Sequence, residues 1–130
     1  MIVLDTHIWI WWTQDDPLLP PDYKRYIDAH LTGGVGVSII SCWEIALLDA
    51  YGKISLPLPI ELWLNTALSK QHVHLLALSP KIVVEANHLP GVFHRDPADR
   101  LIVATARIHG YALVTLDGKI RNYPHVQLAP

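Results

Sequence analysis

The sequence predicts a three-layer α/β/α sandwich around a mostly parallel sheet. Short apolar runs, MIVLD, GGVGVSII, VHLLAL and YALVT, alternate with stretches whose apolar residues recur at helical spacing, the pattern of a parallel sheet covered by helices on both faces. Hydrophobic residues make up 51% of the chain and charged residues 17%, a balance that supports a packed core and excludes a disordered chain. At 130 residues there is room for one such core, so the whole chain is read as a single domain.

Each element has a local reason. MIVLD is an apolar run closed by an acid, as in a strand buried on both faces. THIWIWW starts a helix, and DDPLLPPD is a turn-rich connector. PDYKRYIDAH follows as a helix opened by proline. GGVGVSII is a second buried strand introduced by glycines, and SCWEIALLDAYGKI is a helix that Ser41 can cap and Gly52 can end. A further helix runs from Pro59 to about Lys70, followed by the strand VHLLAL and a helix opening at Ser79-Pro80. Residues 97 to 109 form another helix, with Pro97 in its first turn and Gly110 as its stop. YALVT is a strand ending at Thr115, and HVQLA is a last edge strand.

Charge and composition narrow the function. A net charge of −2 gives the chain no general attraction for polyanions, so any nucleic acid must be met by a local basic patch or a bound cation. No apolar run is long enough to cross a bilayer, and the N-terminus lacks the basic start and cleavage site of a signal peptide; a cytoplasmic location without membrane contact is expected. Cys42, the sole cysteine, has no partner for a disulfide or a zinc site and reads as a small buried apolar residue. Trp9, Trp11 and Trp12 crowd the N-terminus and are read as core packing and subunit interface in preference to base stacking.

Ligands of such sheets bind beyond the carboxyl ends of the strands, and acids gather there. Asp5 ends the first strand, Glu44 falls in the first turn of the helix after the second, Asp99 lies in the first turn of the helix from Pro97, and Asp117 follows the strand YALVT. Asp96 is a possible fifth. Each alone passes as a helix cap or a turn residue. Together they conflict, because two carboxylates about 4 Å apart repel by roughly 4 kcal/mol at an effective dielectric of about 20. Proton uptake, pairing with Arg95 and Arg100, or a divalent cation would each relieve this. Two arginines do not balance five acids, and an all-oxygen set without cysteine suits Mg²⁺ or Mn²⁺ better than zinc, so a cation is the most economical remedy. The natural chemistry of such a site is phosphodiester hydrolysis.

Four blocks, MIVLDTHIWIWW, VSIISCWEIA, HRDPADRLIVATA and LVTLDGKI, in this order and spacing, resemble the PIN domain, specifically the VapC-type toxin ribonucleases of toxin–antitoxin modules. The resemblance spans nearly the whole chain. It implies an α/β/α sandwich with a parallel sheet, a Mg²⁺- or Mn²⁺-dependent endoribonuclease acting on RNA, a homodimer, and inhibition by a cognate VapB-like antitoxin. By position, Asp5, Glu44 and Asp99 match the family's first three metal-binding acids. Asp117 matches a more peripheral fourth, and Asp96 an acid of the DP-x-DR branch. Asp5 and Asp99 are the candidate metal ligands, with Glu44, Asp96 and Asp117 completing the candidate catalytic set. Thr6, Ser38 and Thr115 are candidates to hold carboxylates or waters in place.

One departure concerns RNA contact. Leu48 stands where many relatives carry a lysine, so Lys53, Arg95, Arg100 or Lys119 is expected to take that part. His7 and His94 lie beside proposed ligands and are candidates to touch substrate or shuttle a proton, whereas His30, His72, His74, His88, His109 and His125 read as surface or structural. Rival folds fit poorly. A haloacid-dehalogenase-like phosphatase wants an acid where His7 stands, and a receiver-type signalling domain wants an aspartate after VHLLAL. A catalytically silent PIN-like protein that works only by binding a partner is the alternative reading.

Overall fold

A computed structural model describes residues 1–130. Strands β1 (Ile2–Leu4), β2 (Val35–Ser38), β3 (Val73–Leu76) and β4 (Ala112–Val114) form one all-parallel sheet in the order β3-β2-β1-β4. Seven helices connect them: α1 (Thr6–Gln14), α2 (Pro21–His30), α3 (Ile39–Ala50), α4 (Ile60–Leu68), α5 (Pro80–Asn87), α6 (Pro97–His109) and α7 (Gly118–Arg121). A short 3₁₀ turn at Leu31–Gly33 leads into β2.

The strands' side-chain alternation divides the core into two layers. Ile2, Leu4, Val35, Val37 and Val73 pack with Trp9, Ile10, Ile27, Ile45 and Trp63 from α1 to α4. On the other face Val3 and Leu113 pack with Ile82, Ala86, Ile102, Val103 and Ile120 from α5 to α7. Gly36 is needed for close packing on this second face: a Cβ there would lie 2.7 Å from Leu76 Cδ1. Because β2 and β4 flank β1 while the helices that follow β1 and β3 cover opposite faces, the chain changes direction at β1. This switch point opens a crevice beyond the carboxyl end of β1, where Asp5 stands.

Caps account for several boundaries. Ser79 accepts from the Ile82 N–H at 3.2 Å and starts α5. Pro97 opens α6, and Gly110, with φ +69°, ends it. Two expectations are corrected. Ile39 and Ile40 belong to the first turn of α3 and not to the strand, because Ser38, and not Ser41, caps that helix by accepting from the Ile40 N–H at 3.2 Å. HVQLA supplies only a bridge between Leu113 and Leu128 in place of a strand. No helix is long and apolar enough to cross a membrane.

Candidate active site

A cavity of about 360 Å³ opens at the carboxyl edge of the sheet, with Asp5, Glu44, Asp96, Asp99 and Asp117 among its lining residues. The acids reach it from four places: the end of β1, the body of α3, the start of α6 and the turn before α7. Three also cap helices. Asp5 Oδ1 accepts from the Thr6 N–H at 2.8 Å, Asp96 Oδ1 from the Asp99 N–H at 3.1 Å, and Asp117 Oδ1 from the N–H groups of Lys119 and Ile120. The single-residue reading of these acids as caps and the collective reading as a cluster therefore hold together. The positive ends of α1 and α6 offset part of the repulsion. Glu44 makes no such contact, since the early start of α3 puts it in the second turn and not the first.

Hydroxyl groups fix the carboxylates. Thr115 Oγ1 donates to Asp5 Oδ2 at 2.6 Å and accepts from the Asp117 N–H at 3.0 Å, tying two acids to the end of β4. Arg121 steadies that corner by donating to the Thr115 carbonyl and the Tyr23 hydroxyl, both at 3.0 Å. The Thr6 hydroxyl donates to Glu44 Oε1 and shares a hydrogen bond with the Ser41 hydroxyl at 2.9 Å. Ser38 is spent as the α3 cap and does not line the cavity. Ser41, three residues on and fully buried, stands behind Thr6 instead. Sequence spacing offers Ser41 as a helix cap and so does not single it out for this contact.

The bases arrange themselves differently from expectation. Arg100 turns away from the acids: its guanidinium donates to the carbonyls of Ala86, Phe93 and His94 at 2.8 to 3.1 Å, stitching α5 and the following loop to α6. Arg95 lines a separate depression with Val83 and Asn87. Lys53 and Lys119 are exposed and outside the cavity, and Leu48 packs against the α1–α4 core. The base that does meet an acid is His94, whose Nε2 lies 2.7 Å from Asp99 Oδ2. No lysine or arginine lines the cavity.

Burial drives the carboxylates toward the neutral form. It lifts Asp5 above the usual aspartate value, against the hydrogen bonds from Thr115 and Thr6 and the nearby His7, with Asp117 adding to the rise. Glu44 is pushed up to about 7, by burial first and then by the charges of Asp99, Asp5 and Asp96, against its bond from Thr6. Asp99 is raised by burial, opposed by His94 and reinforced by Asp5, Asp96 and Asp117. Of the three remedies for crowded acids, arginine pairing is absent and proton uptake is favoured. No group of three or more His, Cys, Asp or Glu side chains is drawn together tightly enough to hold an ion alone. Mg²⁺ keeps several waters and takes only one or two carboxylates directly, so this all-oxygen donor set fits an open, water-rich ion site and not a closed cage.

Comparison with known proteins identifies the family and the fold. The PIN domain family matches residues 2–126. Ribonuclease VapC22 of Mycobacterium tuberculosis (strain ATCC 25618 / H37Rv) is 36% identical over 124 residues, covering 95% of this chain and 92% of that protein. Among solved structures, VapBC2 from Rickettsia felis bound to a promoter DNA fragment superposes with a TM-score of 0.72 at 21% identity, covering 99% of this chain and 98% of that one. DNA-bound VapBC from Salmonella typhimurium gives a TM-score of 0.68 at 18% identity, covering 99% and 98%. FitAcB from Neisseria gonorrhoeae gives 0.67 at 21%, covering 100% and 97%. These structures share the fold.

Proposed function

The chain belongs to the PIN domain family, and from that premise we propose that it is a metal-dependent endoribonuclease and the toxin of a VapBC-type toxin–antitoxin module. The observation that carries the reading is the meeting of five carboxylates from four segments in one cavity without a lysine or arginine among them. A structural role alone does not account for gathering so much like charge in a domain whose whole stability is of order 5–15 kcal/mol.

Asp5 and Asp99 are the residues to hold Mg²⁺ or Mn²⁺. When bound, the ion supplies Lewis-acid polarisation of the phosphoryl group and eases deprotonation of water. The chain's own groups do the rest. Thr115 and Thr6 fix the two oxygens of Asp5, and His94 fixes one oxygen of Asp99, so neither carboxylate has to be ordered when substrate arrives. Glu44, held by the Thr6 hydroxyl at the same cavity, is placed to accept the proton of the attacking water. Asp96 helps orient that water, and Asp117 completes the acidic rim. Water attacks the scissile phosphate in line, leaving a 5′-phosphate and a 3′-hydroxyl.

The proposed setting is the cytoplasm, with a homodimer and a VapB-like antitoxin as partners. Supporting the partners is an apolar surface on α3 and its C-terminal cap: Trp43 is 57% exposed, Leu47 38% and the capping Tyr51 72%, more apolar surface than a helix facing only water usually presents. The test is end-mapping of total RNA after incubation with the protein and Mn²⁺. Fragments with 5′-phosphate ends are expected; 2′,3′-cyclic phosphate ends would exclude water as the nucleophile. Failure to cleave any RNA, with growth arrest on expression undiminished by Asp99→Asn, would favour the catalytically silent binding module.

A further inference from the structure

The cavity's lining is not wholly acidic, and the rest of its composition points to a second recognition element beside the carboxylates. His7, Ile8, Trp11 and Leu116 also line it. His7 and Trp11 are four apart on α1 and therefore share a face; their ring centroids are 5.8 Å apart, tilted by 53°. Since α1 begins immediately after Asp5, Trp11 lies about 9 Å along the helix axis from that acid at 1.5 Å per residue. An aromatic surface and the proposed phosphate-cleaving centre are thus on one short rigid element.

The other tryptophans of α1 are accounted for by packing. Trp9 is fully buried, with its ring 5.7 Å from that of Trp63. Trp12 is buried, donates from Nε1 to Asp28 at 2.9 Å, and carries Lys70 over its ring. Trp11 differs: its back packs on the α1–α4 core while its other side lines the cavity. Core packing explains half of that side chain. It does not by itself require the second contact, with the acidic cavity.

RNA entering this cavity meets five acids and no lysine or arginine. A bound cation can serve the phosphate being cut, yet the ordinary electrostatic source of affinity along the backbone is missing here. Stacking is the sequence-tolerant alternative, because every base presents a π-face and unpaired bases are splayed onto aromatic side chains in single-stranded RNA recognition. We infer that Trp11, flanked by His7, is a nucleobase-stacking subsite that holds an unpaired base next to the scissile phosphate. This rests on the ribonuclease reading and deepens it: affinity beside the cut comes from a base and not from backbone charge. The core behind Trp11 keeps the ring in place, so little side-chain freedom is lost when a base lands on it.

The test is a two-by-two kinetic cycle with the full-length protein and Mn²⁺, on a short single-stranded oligoribonucleotide containing one mapped cleavage site. Wild type and Trp11→Ala are each assayed on the intact substrate and on substrates carrying a single abasic ribonucleotide on either side of the cut. For wild type, removing the stacked base is expected to lower kcat/KM by about 5- to 150-fold, chiefly through KM. Trp11→Ala should show a similar loss on intact RNA, and almost no further loss on the abasic substrate. Trp11→Phe should recover most of the activity, whereas Trp11→Leu, which keeps apolar packing but has no ring, should not. Since the abasic arm uses wild-type protein, the proposal stays exposed even if Trp11→Ala folds poorly. Independent, additive losses, or wild type indifferent to both abasic positions, would overturn it while leaving the ribonuclease reading intact. Trp11→Ala cleaving normally but escaping its antitoxin would assign the wall to a protein segment and also overturn it. Wild type that cleaves no RNA at all would bring down the ribonuclease reading, and this inference with it.

Discussion

Along α6, two regions one turn apart treat burial in opposite ways. Ile102, Val103 and Ala104 are fully buried against apolar neighbours from α5, β1 and β4, where every methylene removed from water stabilises the fold by about 0.8 kcal/mol. Asp99, at the start of the same helix, is largely buried among Asp5, Asp96 and Asp117, and its carboxyl is pushed toward the neutral form. One region gains stability from burial and the other loses it. The difference teaches that α6 is an anchor whose apolar body carries the cost of its acidic first turn, the usual relation between a scaffold and a preorganised site.

Substitutions at the two regions should therefore separate stability from activity. Asp99→Asn should have the largest effect, lowering RNA cleavage by about 10³-fold or more while leaving the unfolding midpoint in EDTA unchanged or higher; full activity in Mn²⁺ would remove Asp99 from the chemistry. Ile102→Ala should do the reverse, costing about 2–5 kcal/mol in urea unfolding with normal kcat in the fraction that remains folded. His94→Ala is expected to weaken Mn²⁺ binding by about 10- to 100-fold, by freeing the Asp99 oxygen that His94 holds. His94→Gln, which keeps a donor, should restore most of it, and equal losses in both variants would deny His94 that positioning role.

The smallest effect is in pH dependence. In metal-free protein Glu44 has a folded pKa of about 7 against an ordinary value of 4.5. Between those values the folded chain binds more protons than the unfolded one, so stability should fall as pH rises through about 4.5 to 7 and then level off. Asp5 and Asp99, also raised, add to the fall in the same direction. Glu44→Gln should flatten the upper part, as followed by thermal melts in EDTA; an unaltered slope would mean that Glu44 is already ionised in the fold.

What was legible in the sequence follows the same division. The strands and helices α2 and α6 are marked by apolar runs, prolines and a terminal glycine, and α6 spans 97–109 as its signals predict. The end of β2 is harder, because Ile39-Ile40 is β-branched and apolar whether it closes a strand or opens a buried helix. HVQLA has strand-like alternation but only one partner bridge, a matter of tertiary contact. In the site, acids that end strands or cap helices could be placed from sequence because their backbone positions decide where they go. Arg100 could not, since its partners are carbonyls of Ala86 and of a loop up to 14 residues away. Nor could the choice of His94 over the arginines, or of Ser41 over Ser38, because these depend on side-chain direction at the close of folding. Trp11 belongs with them: read as packing, it serves that role on one side only.

The most direct test of the carboxylate cluster is calorimetric titration of Mn²⁺ into the metal-free protein at pH 7, repeated in buffers of different ionisation enthalpy. With Glu44 close to half-protonated at that pH, saturable binding should be accompanied by proton release. An absence of saturable binding, or binding whose heat is independent of the buffer, would contradict the claim that a cation replaces protons in holding these acids together.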